Sequence, residues 1–155
     1  MRHPLPTLVI TAFFACAAAS AARAQTKPDN AIRYRQGLMH VMGWNFDQLG
    51  AVVHHTGALD TKEFALRAAR LAELGPQIAE GFPAGSGSAD KVAVNDAAAE
   101  IWTDAAGFQA KIDDYLAASK KLVEIAKTGD ETQMKAQFRQ VTGSCKGCHD
   151  KYKAD

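Results

Sequence analysis

Residues 130–152, DETQMKAQFRQVTGSCKGCHDKY, decide the fold of this 155-residue chain. Apolar side chains recur there every three or four residues, the spacing that gathers them on one face of an α-helix. Gly129 suits the end of a preceding helix and Asp130 suits a helix N-cap. The stretch therefore predicts a C-terminal amphipathic helix whose two cysteines face the core along with its large apolar residues, in the order Met134, Phe138, Val141, Cys145, Cys148 and Tyr152.

Three further helices are predicted upstream, over residues 28–55, 60–74 and 98–127, and no long stretch alternates as a half-buried strand would. A Gly-, Ser- and Pro-rich connection spans 81–97 and lies between the second and third helices. Short links within each pair favour antiparallel packing, so we predict an all-α, antiparallel four-helix bundle. The inner face of the first helix is predicted to carry Arg35 in register with Ile32, Met39, Met42, Phe46, Leu49 and Val53.

The first 24 residues are unlike the rest and are typical of a signal peptide. Arg2 and His3 give a short basic start, an apolar run follows over 8–19, and residues 22–24 read Ala-Arg-Ala, a small-x-small cleavage signal. The apolar run is too short to span a bilayer. We therefore expect cleavage after Ala24, export to the periplasm and a mature domain of residues 25–155 with no membrane span.

Composition excludes several classes of protein. One domain's worth of residues leaves no room for a second catalytic or nucleotide-binding domain, and a formal charge of only +1 argues against a nucleic-acid binder. The chain contains neither a G-x-S-x-G nor a G-x-x-x-x-G-K-[ST] motif, and its carboxylates are spread over predicted exposed faces. We expect a protein that is not an enzyme.

Export removes Cys16 of the three cysteines and leaves Cys145 and Cys148, which are followed directly by His149. This C-x-x-C-H string is the pattern of covalent c-type haem attachment. The spacing places both thiols on one face of a helix, where they can add to the two vinyl groups of a porphyrin. His149 then supplies an imidazole as an axial ligand to the iron.

Two other chemistries use a C-x-x-C pair. A thioredoxin-type motif follows a strand in a βαβ pattern, and a zinc site needs two further Cys or His ligands at matching spacing. The sequence offers neither context. The motif therefore indicates one covalently attached haem c, held between the helices of the bundle.

With its haem motif at the C-terminus of an exported helical chain, the sequence resembles the class II c-type cytochromes, the cytochrome c′ family. Residues 28–36 (PDNAIRYRQ), 100–108 (EIWTDAAGF) and 145–152 (CKGCHDKY) share this resemblance. It implies that Arg35 and Gln36 lie against the haem, with the arginine near a propionate. An arginine fork facing a carboxylate is chemically sensible.

Two functions are distinguished by whether the residue on the second face of the iron binds the metal. Met39 lies ~15 Å into the first helix, in the inner register, at the position that the family uses for its distal side chain; Met42 is the reserve candidate. Residues 36–39 resemble the low-spin, methionine-ligated branch, so we expect an electron carrier with His149 and Met39 as axial ligands. The alternative is that Met39 only packs, as core methionines usually do, in a five-coordinate cytochrome c′ that binds nitric oxide or carbon monoxide.

Partners are predicted only by class. Lys146, Lys151 and Lys153 surround the haem edge and suit electrostatic guidance of an acidic redox protein. Ser86 in the long connection is a weaker candidate for a propionate contact. Many relatives pair through their first two helices, and leftover apolar residues there, such as Val41 and Leu66, permit a homodimer.

Overall fold

The structure is a computed structural model that describes residues 27–87 and 95–154. Within these ranges it is helical and has no strand, only an isolated backbone bridge between Ala97 and Lys153, which agrees with the all-α prediction. The predicted signal peptide, 1–24, lies outside the described residues. The helices are α1 (Pro28–His54), α2 (Thr61–Leu74), α3 (Glu100–Thr103), α4 (Ala105–Ala126) and α5 (Glu131–Tyr152).

The helix ends follow the sequence signals closely. Asp60 accepts hydrogen bonds from the backbone N–H groups of Lys62 and Glu63, and Asp130 accepts one from Gln133, so each aspartate caps the helix that follows it. Gly129 has a φ of +71°, a left-handed conformation that glycine adopts without a steric penalty. Together these signals set the starts of α2 and α5.

The predicted third helix is interrupted, so its prediction as one continuous helix over 98–127 is wrong. The backbone leaves the helical region at Asp104, where φ is −125° and ψ is 55°, and this divides α3 from α4. The Asp104 carboxylate caps α4 through the N–H of Gly107 and also accepts hydrogen bonds from Lys151 and Tyr152. The break therefore joins the start of α4 to the end of α5.

Helix packing leaves a cavity towards one end of the bundle. The closest backbone packing is between α4 and α5, α1 and α2, and α2 and α4, whereas α1 and α5 approach each other sparsely. Farther along, Phe46 of α1 and Phe138 of α5 stack with ring centroids 4.9 Å apart. Beyond that stack, towards the start of α1 and the end of α5, the two helices border a cavity.

The core confirms most of the predicted inner face of α1. Ile32, Arg35, Met42, Leu49 and Val53 are buried as expected. Met39 and Phe46 are only half-buried, and Leu38 is buried in their place. In the part of the chain described, no helix is long and apolar enough to cross a membrane.

Candidate haem site

A cavity of about 350 Å³ lies between α1, α4 and α5 and brings together all six residues predicted for the haem site. Its size falls within the usual range for cofactor pockets. The wall is mostly apolar, with a few polar groups converging on it. From α1 come Arg35, Gln36, Met39 and Met42, and from α5 come Cys145, Cys148 and His149.

The two thiols stand at the wall of this cavity, three residues apart on α5. Cys145 and Cys148 are half-buried and unpaired, and the exposed His149 borders the same space. Burial raises the pKa of both thiols; Cys148 raises that of Cys145 further, and the Lys111 ammonium partly offsets the effect at Cys148. Redox-active C-x-x-C pairs instead have a thiol with a lowered pKa, so the surroundings disfavour the thioredoxin-type reading.

These residues fit a covalent haem c. An apolar cavity accepts a porphyrin face, two thiols on one helix face suit its vinyl groups, and a histidine next to them suits iron. Within residues 27–87 and 95–154, no three His, Cys, Asp or Glu side chains gather as they would around a bound metal ion.

Two methionines of α1 also border the cavity. Met39 is half-buried and Met42 is buried, and both border the cavity. His40 reaches its edge but is exposed, and its Nδ1 atom lies 2.8 Å from the Gln36 carbonyl oxygen. His54 and His55 are exposed at the far end of α1. Met39, His40 and Met42 therefore border the cavity, whereas His54 and His55 do not.

Arg35 borders the cavity and is held there by hydrogen bonds that the sequence does not predict. It is 4% exposed, and burial lowers the pKa of its guanidinium. Its Nη atoms donate to the carbonyl oxygens of Gly81 and Ser86 and to the side chains of Ser86 and Asn95. Ser86 is itself 1% exposed and holds Arg35; it is not among the residues that border the cavity.

Sequence reasoning missed part of the wall. Phe82 and Asn95 border the cavity from the two ends of the Gly-rich connection, and Tyr115 borders it from α4. The Tyr115 hydroxyl donates to the Leu71 carbonyl oxygen at 2.8 Å, and burial raises its pKa. The helical register does place Tyr115 on the inner face of the bundle, but no spacing rule identifies Phe82 or Asn95, because both lie outside regular helices.

The C-terminal end of α5 is fastened beside the cavity. Backbone hydrogen bonds join Ala98 to Tyr152 at 3.1 Å and Ala154 to Asp96 at 2.8 Å. These bonds hold the turn of helix that follows His149. They therefore tie the end of α5 to the segment that leads into α3.

The lysines around this edge each face a carboxylate. Lys146 pairs with Asp150 at 2.6 Å, Lys151 with Asp104 at 2.5 Å and Lys153 with Asp96 at 3.5 Å. The local charge is therefore largely balanced. Electrostatic guidance of an acidic partner stays a prediction.

Comparison with known proteins gives a consistent result. The sequence profile of the family described as Cytochrome C' matches residues 30–153. The cytochrome c' of Rubrivivax gelatinosus is 37% identical over 127 residues, covering 82% of this chain and 96% of the relative. The solved structure of cytochrome c prime from Shewanella frigidimarina is 36% identical, with a TM-score of 0.77 over 84% of this chain and 98% of that one.

A third relative was solved with a ligand. It is the nitric oxide complex of a leucine-to-alanine variant of cytochrome c prime from Alcaligenes xylosoxidans. That chain is 31% identical to this one, with a TM-score of 0.76 over 84% of this chain and 98% of the relative. The likeness in sequence and fold therefore extends over nearly the whole length of each relative.

Proposed function

Because this chain belongs to the cytochrome c′ family, we propose that it is an exported monohaem c-type cytochrome that binds a diatomic gas, nitric oxide or carbon monoxide. The membership confirms the resemblance predicted from the sequence, and the family binds one covalently attached haem c. When bound, the haem supplies an iron that exchanges one electron and accepts a small gas molecule as a ligand.

The residues that hold the haem in this proposal come from both sides of the cavity. Cys145 and Cys148 would form the thioether links and His149 would bind the iron, because all three side chains border the cavity from α5. Arg35 and Gln36 lie against the haem from α1. All three motif side chains lie on α5, whose end is fastened to the segment before α3, and this favours a permanently held cofactor.

The observation that supports gas binding best is the nitric oxide complex of the Alcaligenes relative. The wall on the α1 side is compatible with it, since Met39 and Met42 present unbranched, flexible side chains there. Methionine changes rotamer readily and fills irregular gaps. In this proposal Met39 covers the site of the gas and gives way to it.

The electron carrier predicted from the sequence is the second candidate. One observation favours it: Met39 borders the same cavity as His149, from the opposing helix. A thioether is a recognised axial ligand that raises the reduction potential of a haem. The two candidates therefore differ in whether Met39 binds iron or only packs.

Carbon monoxide binding to the reduced protein separates these candidates. If Met39 only covers the site, the wild type binds carbon monoxide, Met39→Leu does so with little change, and Met39→Ala binds it faster. If Met39 is a ligand, the wild type resists carbon monoxide and both variants gain binding. Met134→Leu is the matched control, since Met134 is a buried methionine of α5 that does not border the cavity, and it should leave the rate unchanged in either case.

Export is tested by the mass of the mature protein. We expect a chain that begins at Gln25 and carries the mass of one haem, recovered from the periplasmic fraction of a bacterium able to mature c-type cytochromes. Replacement of both Cys145 and Cys148 by alanine should remove the added mass. A full-length chain that begins at Met1 would overturn the proposed cleavage.

A further inference from the structure

Arg35 is a buried cation whose hydrogen bonds all reach one segment of the chain. Its Nη1 atom donates to the Gly81 carbonyl oxygen at 3.0 Å and to Ser86 Oγ at 3.2 Å. Its Nη2 atom donates to the Ser86 carbonyl oxygen at 2.9 Å and to Asn95 Oδ1 at 2.7 Å. One guanidinium thus joins α1 to both described ends of the Gly-rich connection.

Asn95 completes this arrangement from the other side. Its Nδ2 atom donates to the Gly87 carbonyl oxygen, so residues 87 and 95 are tied directly to each other. Its Oδ1 atom also accepts from the backbone N–H of Ala97 at 3.4 Å. Through Asn95, the fork of Arg35 therefore reaches the residues that lead into α3.

Aromatic rings close the space around the guanidinium. The Arg35 Cζ atom lies 5.0 Å from the centroid of Phe82 and 5.8 Å from that of Trp102. The Trp102 indole donates to the Pro83 carbonyl oxygen at 3.2 Å, which fixes that ring on the same segment. A planar guanidinium can stack on rings and donate in its plane at the same time, whereas an ammonium cannot.

We infer that Arg35 is a positioning residue that, through Ser86 and Asn95, builds one wall of the haem cavity. We call this arrangement the clasp: Arg35, Ser86 and Asn95. The wall it holds consists of four residues that border the cavity, namely Phe82, Asn95, Asp96 and Ala97. The inference rests on the proposed function only in taking this cavity as the haem site.

The clasp assigns Arg35 more than the propionate contact that the family resemblance implies. Four hydrogen bonds to protein oxygens already orient its guanidinium before any anion enters the cavity. Among the described residues, no carboxylate forms an ion pair with it. The hydrogen bonds of the Arg35 guanidinium hold the wall in place, and its positive charge attracts an anion in the cavity.

Replacement of Arg35 by lysine affects its role in the clasp and its role as a counter-charge differently, so the two roles can be separated. Arg35→Lys keeps a positive charge but loses the planar fork, so it retains a counter-charge for a propionate and breaks most of the clasp. Arg35→Gln loses the charge as well. Asn95→Ala leaves Arg35 intact and removes the tie between residues 87 and 95.

The test is amide hydrogen exchange by mass spectrometry on the purified holoprotein, read at residues 79–87 and 95–98, the parts of 79–98 that the clasp holds. We expect Arg35→Lys, Arg35→Gln and Asn95→Ala each to speed exchange there by roughly tenfold or more, the loss expected for one buried hydrogen bond to a charged group. Peptides from α2 should be unchanged. The Soret circular dichroism should change in the same three variants, because the wall borders the haem.

Arg67→Lys is the matched control. Arg67 is also a largely buried arginine that donates to an asparagine of another helix, Asn45 at 3.1 Å, but it lies away from the cavity. This control should leave exchange over 79–98 and the Soret signal as in the wild type.

Wild-type exchange over 79–98 in Arg35→Lys would overturn the clasp and leave Arg35 as a counter-charge alone. Exchange in Asn95→Ala that is as slow as in the wild type would overturn the clasp as well. Equally faster exchange throughout the chain would show general destabilisation and also refute a local role. Absence of haem from the wild type would instead contradict the proposed function, and the exchange comparison would still decide the clasp.

Discussion

Replacement of Phe108 by alanine is expected to destabilise the protein strongly, because this ring stands at the centre of a row of aromatic side chains. Phe108 is 8% exposed. It meets Phe82 edge-to-face at a centroid distance of 5.0 Å and Tyr152 at 5.2 Å. Removal of a buried phenylalanine side chain costs about 3–5 kcal/mol, which includes the transfer of its surface and the space left behind.

The row also links the cavity wall to the end of α5, so part of this cost should be a specific coupling between rings. We expect Phe108→Leu and Phe82→Leu, combined in a double-mutant cycle, to show a coupling free energy of about 1 kcal/mol. Chemical denaturation of the holoprotein, followed by far-ultraviolet circular dichroism, measures both quantities. Leu66→Ala is the control, since that side chain is 43% exposed and should change stability little.

A loss below about 1 kcal/mol for Phe108→Ala would refute this reasoning, because it would place the ring outside the packed core. Additive effects of the two leucine substitutions would refute the coupling. In that case the rings would be neighbours without a shared energetic role.

Two further perturbations test other parts of the fold. The hydrogen bond from Lys151 holds the pKa of Asp104 at about 2, against an ordinary value of 3.8. The charged carboxylate therefore stabilises the fold above its unfolded pKa. Its contribution to stability disappears as the pH falls from 3.8 towards 2. Melting temperatures recorded across that range should fall more steeply for the wild type than for Asp104→Asn, and parallel curves would contradict the linkage. Gly81→Ala would place a Cβ 2.6 Å from that of Arg35 and should cost about 1–3 kcal/mol. Gly143→Ala, within α5 and with no atom nearby, should instead stabilise the protein by up to about 1 kcal/mol in the same denaturation assay, and equal effects at the two glycines would refute the steric argument.

Local signals explain why most helix bounds could be predicted. The caps at Asp60 and Asp130 and the left-handed Gly129 act within a few residues of the positions they determine. The break at Asp104 is different. It depends on Lys151 and Tyr152, which are 47 and 48 residues away in sequence, and no pattern within 98–127 reports them.

The residues of the haem site also differ in whether local sequence patterns predict them. Cys145, Cys148 and His149 form one contiguous motif, so their shared location could be predicted from spacing alone. The role of Arg35 in the cavity wall could not, because it depends on hydrogen bonds to Ser86 and Asn95, which are 51 and 60 residues away. Met39 is intermediate: helical register predicts its face, but register does not determine whether a thioether binds iron or only packs.

The optical spectrum of the reduced wild-type protein, recorded before and after addition of carbon monoxide, tests the central claim most directly. If Met39 covers the site without binding iron, as we propose, the spectrum is that of a high-spin haem c and shifts on addition of the gas. A sharp low-spin spectrum that carbon monoxide leaves unchanged would contradict gas binding and restore His149 and Met39 as the two axial ligands of an electron carrier.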